Sequence, residues 1–235
     1  MNTNEIKTEE NSADNNAIKG GIAFMENYFL ENAELFETLK DDQKPHTLFI
    51  GCSDSRVVPN LITNTKPGEM FVVRNIANIV PEYRISSEYL AATSAIEYAL
   101  YSLNIKDIII CGHSNCGGCE ALYYTEEQLS RLPNVKNWLK NMEKVKAQVD
   151  ALNLDHFHKK SWFVERFNVI NSIDNLLTYP GVKEGVKLGK IRIYGWHYII
   201  ETGSLFNYDM ITKEFELLNE ESDYEKIYNA IFPDS

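Results

Sequence analysis

Long apolar segments are missing from this sequence of 235 residues. No run approaches the ~20 consecutive apolar residues that cross a bilayer, so we expect no membrane span. Residues 1–16 are polar and rich in Asn, and they lack the apolar segment of a signal peptide, which predicts a cytoplasmic protein. Dense Lys/Arg clusters are missing too, and the formal net charge is -11. Because such a charge opposes binding to phosphates, we expect no nucleic-acid partner.

Cysteine is scarce, with four residues in the whole chain. Four are too few for a disulfide framework at this length, and cysteines in a reducing compartment are more often metal ligands or core residues. Internal repeats and Pro- or Ser-rich linkers are absent as well. We therefore predict one domain over residues 1–235, with a disordered or loosely packed tail at 1–19 and a helical arm at 20–40. The apolar face of the arm can pack on its own domain or on a partner.

Apolar runs and helical periodicities alternate in the first half of the chain, which favours an α/β fold with a central, mostly parallel sheet flanked by helices. Short apolar runs bounded by turn residues predict strands, and a helical spacing of apolar residues predicts the helix between them. The predicted strands are Thr47–Gly51, Met70–Arg74 and Ile108–Cys111, and the helices are Pro59–Thr63 and Ser87–Leu103.

The second half of the chain is predicted to complete the sheet after a long helical region. Residues 134–178 are mainly helical in pattern, and Pro180-Gly181 is predicted to end that pattern. A fourth strand is predicted at Lys190–Ile200, and it turns back into Leu205–Tyr208 as a hairpin at the sheet edge.

Two short polar stretches follow two of the predicted strands directly. Cys52-Ser53-Asp54-Ser55-Arg56 follows the first strand, and His113-Ser114-Asn115-Cys116-Gly117-Gly118 follows the third. Ligands of parallel α/β sheets bind beyond the carboxyl ends of the strands, so we expect the two stretches to form one site. Cys52, His113 and Cys116 are suited to Zn²⁺, and three protein ligands leave a fourth position open for water, as in catalytic zinc sites.

The residues around these ligands suggest how the site works. Asp54 can accept a hydrogen bond from a zinc-bound hydroxide and orient it, and Arg56 can hold Asp54 in a bidentate ion pair. Such a pair also keeps the carboxylate from taking the fourth position on zinc. The amides of Gly117 and Gly118, at a predicted helix start, favour a nearby anionic oxygen.

Spacing alone leaves other interpretations open. Cys116 and Cys119 form a C-x-x-C pair, which could complete a structural Cys₃His zinc site or act as a redox dithiol. Asp54 and Arg56 could be an ordinary ion pair of a loop. Cys111 is predicted to be a small buried hydrophobe. Surface or core roles are predicted for the four histidines that lack ligand partners nearby, which are His46, His156, His158 and His197.

At these residues the sequence resembles the β-class carbonic anhydrases. The resemblance is dense from about Gln43 to Ala121 and looser to Gly203, and it lies in ordered motifs. These are C-x-D-x-R at Cys52, Asp54 and Arg56, H-x-x-C at His113 and Cys116 before Gly117-Gly118, and the blocks Pro67-Gly68-Glu69, Arg74–Asn78 and Ser94–Ala99.

The resemblance implies a lyase that hydrates carbon dioxide reversibly to bicarbonate and a proton. It implies Zn²⁺ on Cys52, His113 and Cys116, with no ligand role for Cys119, and a catalytic dyad of Asp54 and Arg56. It also implies a homodimer or a dimer of dimers, in which the N-terminal arm embraces the neighbouring subunit and the pocket lies at the dimer interface.

The resemblance further suggests the plant-like branch of the family. That branch has a substrate-binding Gln nine residues before the first zinc ligand, and Gln43 stands there. The bicarbonate-inhibited branch has a Trp where this chain has Phe49, so we expect no cooperative inhibition by bicarbonate. The implied substrate pocket contains Gln43 and Gly117 at the oxygens of CO₂ and, as an apolar wall, Phe71, Ile76 and Tyr98.

Two rival functions remain at this point. An enzyme of the same fold could hydrolyse carbon disulfide or carbonyl sulfide through a narrowed entrance. A non-catalytic protein could use the Cys and His residues for a structural zinc, although such a site has no need of Asp54, Arg56 and Gln43. The proton acceptor, the pKa of a zinc-bound water and the choice between dimer and tetramer do not follow from the sequence.

Overall fold

The computed structural model describes residues 16–88 and 90–219, without the side chains of Phe157 and His158. It divides into two compact units, residues 1–43 and 44–235. Most of the tail predicted at 1–19 lies outside the described residues. No helix in the described ranges is long and apolar enough to cross a membrane.

The described part of the first unit is helical, and its helix begins at Asn16 and is interrupted. A π-helical turn at Phe24–Tyr28 and a break at Asn32 divide it into three α-helices. Aromatic side chains stack along it, with the rings of Phe29 and Phe36 5.1 Å apart. The helices are α1 (Asn16–Ala23), α2 (Phe29–Glu31) and α3 (Ala33–Leu39).

The second unit contains a six-stranded sheet in the order β2-β1-β3-β4-β5-β6. The first four of these strands are parallel and the last two pair antiparallel, which confirms the predicted mostly parallel α/β fold. The sequence pattern does not predict the last strand, which makes β6 rather than β5 the edge of the sheet. The strands are β1 (Thr47–Cys52), β2 (Met70–Asn75), β3 (Asp107–His113), β4 (Arg192–Tyr198), β5 (Leu205–Tyr208) and β6 (Phe215–Leu217).

Helices flank this sheet. The long helical region ends at Leu176, before Pro180 as predicted, and Pro180 begins a further helix, because proline is well tolerated in the first turn, where its missing N–H is not needed. The helices are α4 (Pro59–Thr63), α5 (Ala91–Tyr101), α6 (Gly117–Glu120), α7 (Glu126–Ser130), α8 (Pro133–Trp138), α9 (Glu143–Asp150), α10 (Phe157–Leu176) and α11 (Pro180–Lys187).

The neighbouring strands β1 and β3 are buried on both faces, which explains their nearly uninterrupted apolar sequence. Alternate residues of β3 face opposite sides of the sheet, so Ile108 and Ile110 join the main core while Ile109 and Cys111 join a smaller cluster. Cys111 is fully buried in that cluster, as predicted.

Helix α10 packs closely on β3 and β4 because glycines stand at the contact. A Cβ on Gly112 would lie 2.8 Å from Cγ2 of Val169, and a Cβ on Gly195 would lie 3.0 Å from Cγ1 of the same residue. These distances are shorter than real Cβ contacts. The missing side chains therefore let α10 approach the strand that ends at His113.

Candidate metal centre

Three potential metal ligands meet at the carboxyl ends of β1 and β3. These strands are parallel neighbours, so Cys52 at the end of one lies beside His113 at the end of the other. The turn after β3 brings Cys116 back to them, with its Sγ 3.8 Å from that of Cys52. The three ligand atoms lie within 4.8 Å of one another, and all three residues are buried. Within the described residues this group does not include Cys119, although Cys119 is buried nearby in α6.

The orientation of His113 leaves one ring nitrogen free for a ligand. Its Nδ1–H donates to the carbonyl of Ser114 at 2.9 Å, which places the lone pair on Nε2. Nε2 is buried and has no hydrogen-bond partner among the described residues. A buried nitrogen without a partner is costly, and metal-bound histidines have this arrangement, in which the second nitrogen is fixed by a carbonyl or carboxylate.

Burial and mutual contact affect the protonation of the two thiols. The hydrogen bond to Cys116 and burial raise the pKa of Cys52 to about 12. The pKa of Cys116 is raised as well, first by its contact with Cys119. Thiols with raised pKa values keep their protons near neutral pH, and a divalent metal would bind them as thiolates by displacing those protons. The donor set of two thiolates and one imidazole suits Zn²⁺.

Asp54 and Arg56 form a bidentate pair at the mouth of this cluster. Nε of Arg56 donates to Oδ1 at 2.9 Å and Nη2 donates to Oδ2 at 2.8 Å. These hydrogen bonds are the main cause that holds the pKa of Asp54 well below its usual range, so the carboxylate is ionised. Its Oδ2 lies 3.9 Å from Nε2 of His113, which brings the carboxylate to the edge of the ligand group.

Comparisons with known proteins agree with this geometry. The family model described as carbonic anhydrase matches residues 47–205. A carbonic anhydrase of Helicobacter pylori strain J99 is 42% identical over 208 residues, which are 87% of this chain and 94% of that protein. The solved structure of the β-carbonic anhydrase CcaA is 36% identical, with a TM-score of 0.84, and the match covers 89% of this chain and 94% of that chain. The chain belongs to the β-class carbonic anhydrases.

A second solved structure of this class is more distant. One of two β-carbonic anhydrases from the fungus Sordaria macrospora, described as tetrameric, is 29% identical with a TM-score of 0.66. The match covers 83% of this chain and 96% of that chain. The likeness to solved β-carbonic anhydrases therefore covers most of the chain.

The apolar residues predicted for the substrate pocket are not all near this cluster. Ile76 lies beside the cluster. A Cβ built on Gly118, two residues after Cys116, would be 2.8 Å from Cγ2 of Ile76. Phe71 and Tyr98 contact each other with their rings 5.9 Å apart. In the pairing of β1 with β2, Phe71 lies opposite Leu48, and Leu48 is four residues before Cys52. Four residues of a strand span about 13 Å, so Phe71 lies about that far from the end of β1. The chain does not bring this aromatic pair to its own cluster of Cys52, His113 and Cys116.

The remaining predicted pocket residues differ in what surrounds them. Gly117 begins α6, and a Cβ built on it meets nothing within 4 Å, so there is room beside this residue. Gln43 is the last residue of the first unit, and its contact with substrate remains a prediction. A groove of about 1330 Å³ lies beside the site and includes Ser53, Arg74 and Ile76 in its walls.

Arg74 fixes the loop that carries the dyad, a role that the sequence does not predict. Its Nε donates to the carbonyl of Cys52 at 3.0 Å and its Nη2 to the carbonyl of Asp54 at 2.6 Å. In sequence it is one residue of the Arg74–Asn78 block, and nothing in that block indicates which carbonyls it reaches. The guanidinium therefore holds the first ligand and the dyad carboxylate on one rigid turn.

Glu201 fixes the second loop from the turn after β4. It accepts hydrogen bonds from Ser114 Oγ at 2.7 Å and from Asn115 Nδ2. The carbonyl of Asn115, a residue with a φ of 54°, accepts a hydrogen bond from Nη2 of Arg56 at 3.0 Å. The two ligand-bearing loops are thus joined through Arg56. The sequence offers no signal for Glu201 beyond its place in a predicted turn.

Proposed function

We propose that this member of the β-class carbonic anhydrases catalyses the reversible hydration of carbon dioxide to bicarbonate and a proton at the cluster of Cys52, His113 and Cys116. One observation carries the proposal. The unpartnered Nε2 of His113 and the two thiols converge within 4.8 Å beside an ionised carboxylate that Arg56 holds at both oxygens.

The three residues would hold Zn²⁺ through two sulfurs and Nε2. Zinc supplies a Lewis acid that lowers the pKa of water, so that a nucleophile is available near neutral pH. The described part of the chain offers three ligands here and no fourth, since Asp54 is turned towards Arg56. The hydrogen bond from Nδ1 of His113 to Ser114 keeps the imidazole in the tautomer that binds metal.

Asp54 would act on the attacking water. As an ionised acceptor it takes a hydrogen bond from that water and directs the oxygen lone pair towards the carbon of CO₂. Arg56 and Arg74 keep the carboxylate and its loop in place for this role. There is open space beside Gly117, where an added Cβ would meet nothing within 4 Å, and its amide would with Gln43 stabilise the negative charge that grows on the substrate oxygens.

The apolar wall of the pocket would be completed by a second copy of the chain. Ile76 is already beside the cluster, whereas the strand register places Phe71 and Tyr98 far from it. A homodimer with the pocket at its interface would bring the aromatic pair of one subunit to the metal ligands of the other. A dimer of dimers agrees with the tetramer described for the Sordaria macrospora relative.

The proposal also includes membership of the plant-like branch and a cytoplasmic location. Phe49 stands where the inhibited branch has Trp, and Asp54 is paired with Arg56, so we expect activity without cooperative bicarbonate inhibition. All four cysteines are buried and free, which suits a reducing compartment such as the cytoplasm.

The rival functions lack a supporting observation. A structural Cys₃His zinc needs Cys119 in the ligand group, and Cys119 lies outside it. Nothing in the groove beside the site favours carbon disulfide or carbonyl sulfide over carbon dioxide.

A stopped-flow assay of CO₂ hydration, combined with a zinc count per chain, tests the proposal. We expect about one zinc per chain and an activity that is lost when a chelator removes the metal and recovered when Zn²⁺ is added back. A chain that binds zinc but does not hydrate CO₂ would contradict the function. A chain that folds without binding zinc would contradict the site.

A further inference from the structure

A buried carboxylate lies directly behind the proposed metal ligands, and the mechanism above does not use it. Glu165 of α10 is 3% exposed. Its Oε1 accepts a hydrogen bond from the backbone N–H of Cys116 at 3.2 Å, and its Oε2 lies 3.1 Å from Nε2 of His197. An ionisable side chain is rarely buried this deeply unless both its oxygens are satisfied, and here each oxygen has a partner.

Close packing of α10 on the sheet brings this carboxylate to the ligand turn. Gly112 precedes His113, and its missing side chain lets α10 approach β3. A Cβ at that position would lie 3.4 Å from the carbonyl oxygen of Glu165 itself. Glu165 is therefore within reach of Cys116, which is 49 residues away in sequence.

His197 is held by this carboxylate in one tautomer. It is fully buried in β4, and burial is the main cause that lowers its pKa, so the ring is neutral. Nε2–H donates to Oε2 of Glu165, which leaves Nδ1 without a proton. Nδ1 has no partner among the described residues, and an unprotonated nitrogen is the less costly group to leave there. The pair thus has one favoured hydrogen-bond arrangement.

The backbone of Cys116 needs such a support. Cys116 stands between the turn after β3 and the four-residue helix α6, and its own φ and ψ are extended. The orientation of its amide plane helps to set the direction of its Cα–Cβ bond, and Sγ is one rotation beyond that bond. The carboxylate oxygen of Glu165 accepts from that amide and holds its plane from the core side.

We propose that Glu165, oriented by His197, is a positioning residue that directs the thiolate of Cys116 towards the metal. This inference rests on the proposed metal centre. Two other groups already hold proposed ligands: the carbonyl of Ser114 accepts from His113, and Arg74 donates to the carbonyl of Cys52. Glu165 adds a carboxylate from a distant helix to these groups.

Zinc affinity tests the inference without relying on turnover. Zn²⁺ dissociation constants of the full chain are measured by competition with a chromophoric chelator for wild type, Glu165→Ala and Glu165→Gln. Glu165→Ala removes the acceptor of the Cys116 amide, and we expect a loss of zinc affinity of about 10- to 100-fold, as for other groups that orient metal ligands. Glu165→Gln keeps a neutral acceptor, so its loss should be smaller but measurable.

Asn175→Ala serves as the matched control for a merely structural effect. Asn175 lies on the same helix, is buried, and donates to the carbonyl of Val80 at 2.8 Å, without contact to the ligand turn. Its replacement removes one buried hydrogen bond of α10, so it should lower the stability of the fold and leave the zinc affinity of the folded protein unchanged. The absorption spectrum of the Co²⁺-substituted proteins gives a second readout, because a displaced sulfur alters the sulfur-to-metal band.

Each outcome decides whether Glu165 positions Cys116 or only stabilises the fold. A weaker Zn²⁺ constant and an altered Co²⁺ spectrum in the Glu165 variants, beyond those of Asn175→Ala, support the inference. Wild-type constants and spectra in both Glu165 variants would overturn it, as would losses no greater than the control. If Glu165→Ala does not fold, the comparison of Glu165→Gln with Asn175→Ala decides the matter. A wild-type chain that binds no zinc would instead refute the proposed metal centre.

Discussion

Arg56 binds both carboxylate oxygens of Asp54, at 2.9 and 2.8 Å, and the same carboxylate lies 3.9 Å from the free nitrogen of His113. This arrangement separates two possible roles of an acidic residue beside a metal. A carboxylate held in this way accepts hydrogen bonds from a nearby water, whereas a released carboxylate would compete for the metal itself. The ion pair with Arg56 thus decides whether Asp54 accepts a hydrogen bond from water or competes for the metal.

Replacing Asp54 with Asn should leave the metal bound and slow the reaction. The amide keeps the shape of the side chain but lacks the charge that orients the attacking water, and we expect kcat/KM to fall by about 10²-fold or more. Stopped-flow CO₂ hydration and a zinc count measure the two effects separately.

Asp107→Asn is the control for this variant. Asp107 also forms a bidentate pair with an arginine, Arg192, but it lies at the start of β3, at the opposite end from the cluster. Its replacement should not change the turnover. An Asp54→Asn protein that works at the parent rate would remove Asp54 from the mechanism.

Removal of single thiols should distinguish a catalytic from a structural metal site. Cys116→Ala deletes a member of the ligand group and should abolish stoichiometric zinc binding, with loss of activity. Cys119→Ala removes a buried thiol outside that group, so about one zinc per chain should remain. Elemental analysis of the dialysed proteins provides the count. Loss of zinc from Cys119→Ala would revive the structural Cys₃His site.

Gly112→Ala should destabilise the fold because the new methyl group has no room. Its Cβ would lie 2.8 Å from Cγ2 of Val169, and overpacking of this kind costs about 1–3 kcal/mol. Urea unfolding followed by circular dichroism gives the change in free energy. Gly21→Ala is the control, since its Cβ meets nothing within 4 Å and alanine favours the helix α1. Equal stability of the two variants would refute the close packing of α10.

Asn168→Ala should also lower stability, through an unpaired carbonyl. Asn168 is fully buried on α10 and donates to the carbonyl of Ala77 at 2.6 Å, where the backbone has a φ of 61°. A buried polar group left without its partner costs about 1–3 kcal/mol. Asp174→Asn, on an exposed part of the same helix, should change the free energy of unfolding by less than about 0.5 kcal/mol. Thermal and urea unfolding compare the two.

The parts of the fold that follow from the sequence are those whose burial is regular. Strands buried on both faces have uninterrupted apolar sequences, so the pattern predicts β1 and β3 to within one or two residues. β6 has three residues that are partly or wholly exposed, and such a strand leaves no apolar pattern. The long helix ends at Leu176, before Pro180 as predicted, but the sequence pattern does not indicate that this proline also begins the next helix.

The candidate site also contains residues that the sequence indicates and residues that it does not. Cys52, Asp54 and Arg56 lie within five residues, and His113 and Cys116 within four, so local spacing already indicates a metal ligand set and a dyad. Glu165 and His197 carry no such signal, because their partners are distant in sequence. Their roles depend on how closely α10 packs on the sheet, which two glycines decide.

The sequence by itself determined which chemical groups are present and that they follow the carboxyl ends of two strands of a parallel sheet. The tertiary structure decided the rest: which cysteine lies outside the ligand group, which nitrogen of His113 is free, and which carboxylate supports Cys116. The physical reason is that ligand type and local spacing are properties of a few neighbouring residues, whereas distance, tautomer and burial arise only when helices and strands far apart in the chain pack against one another.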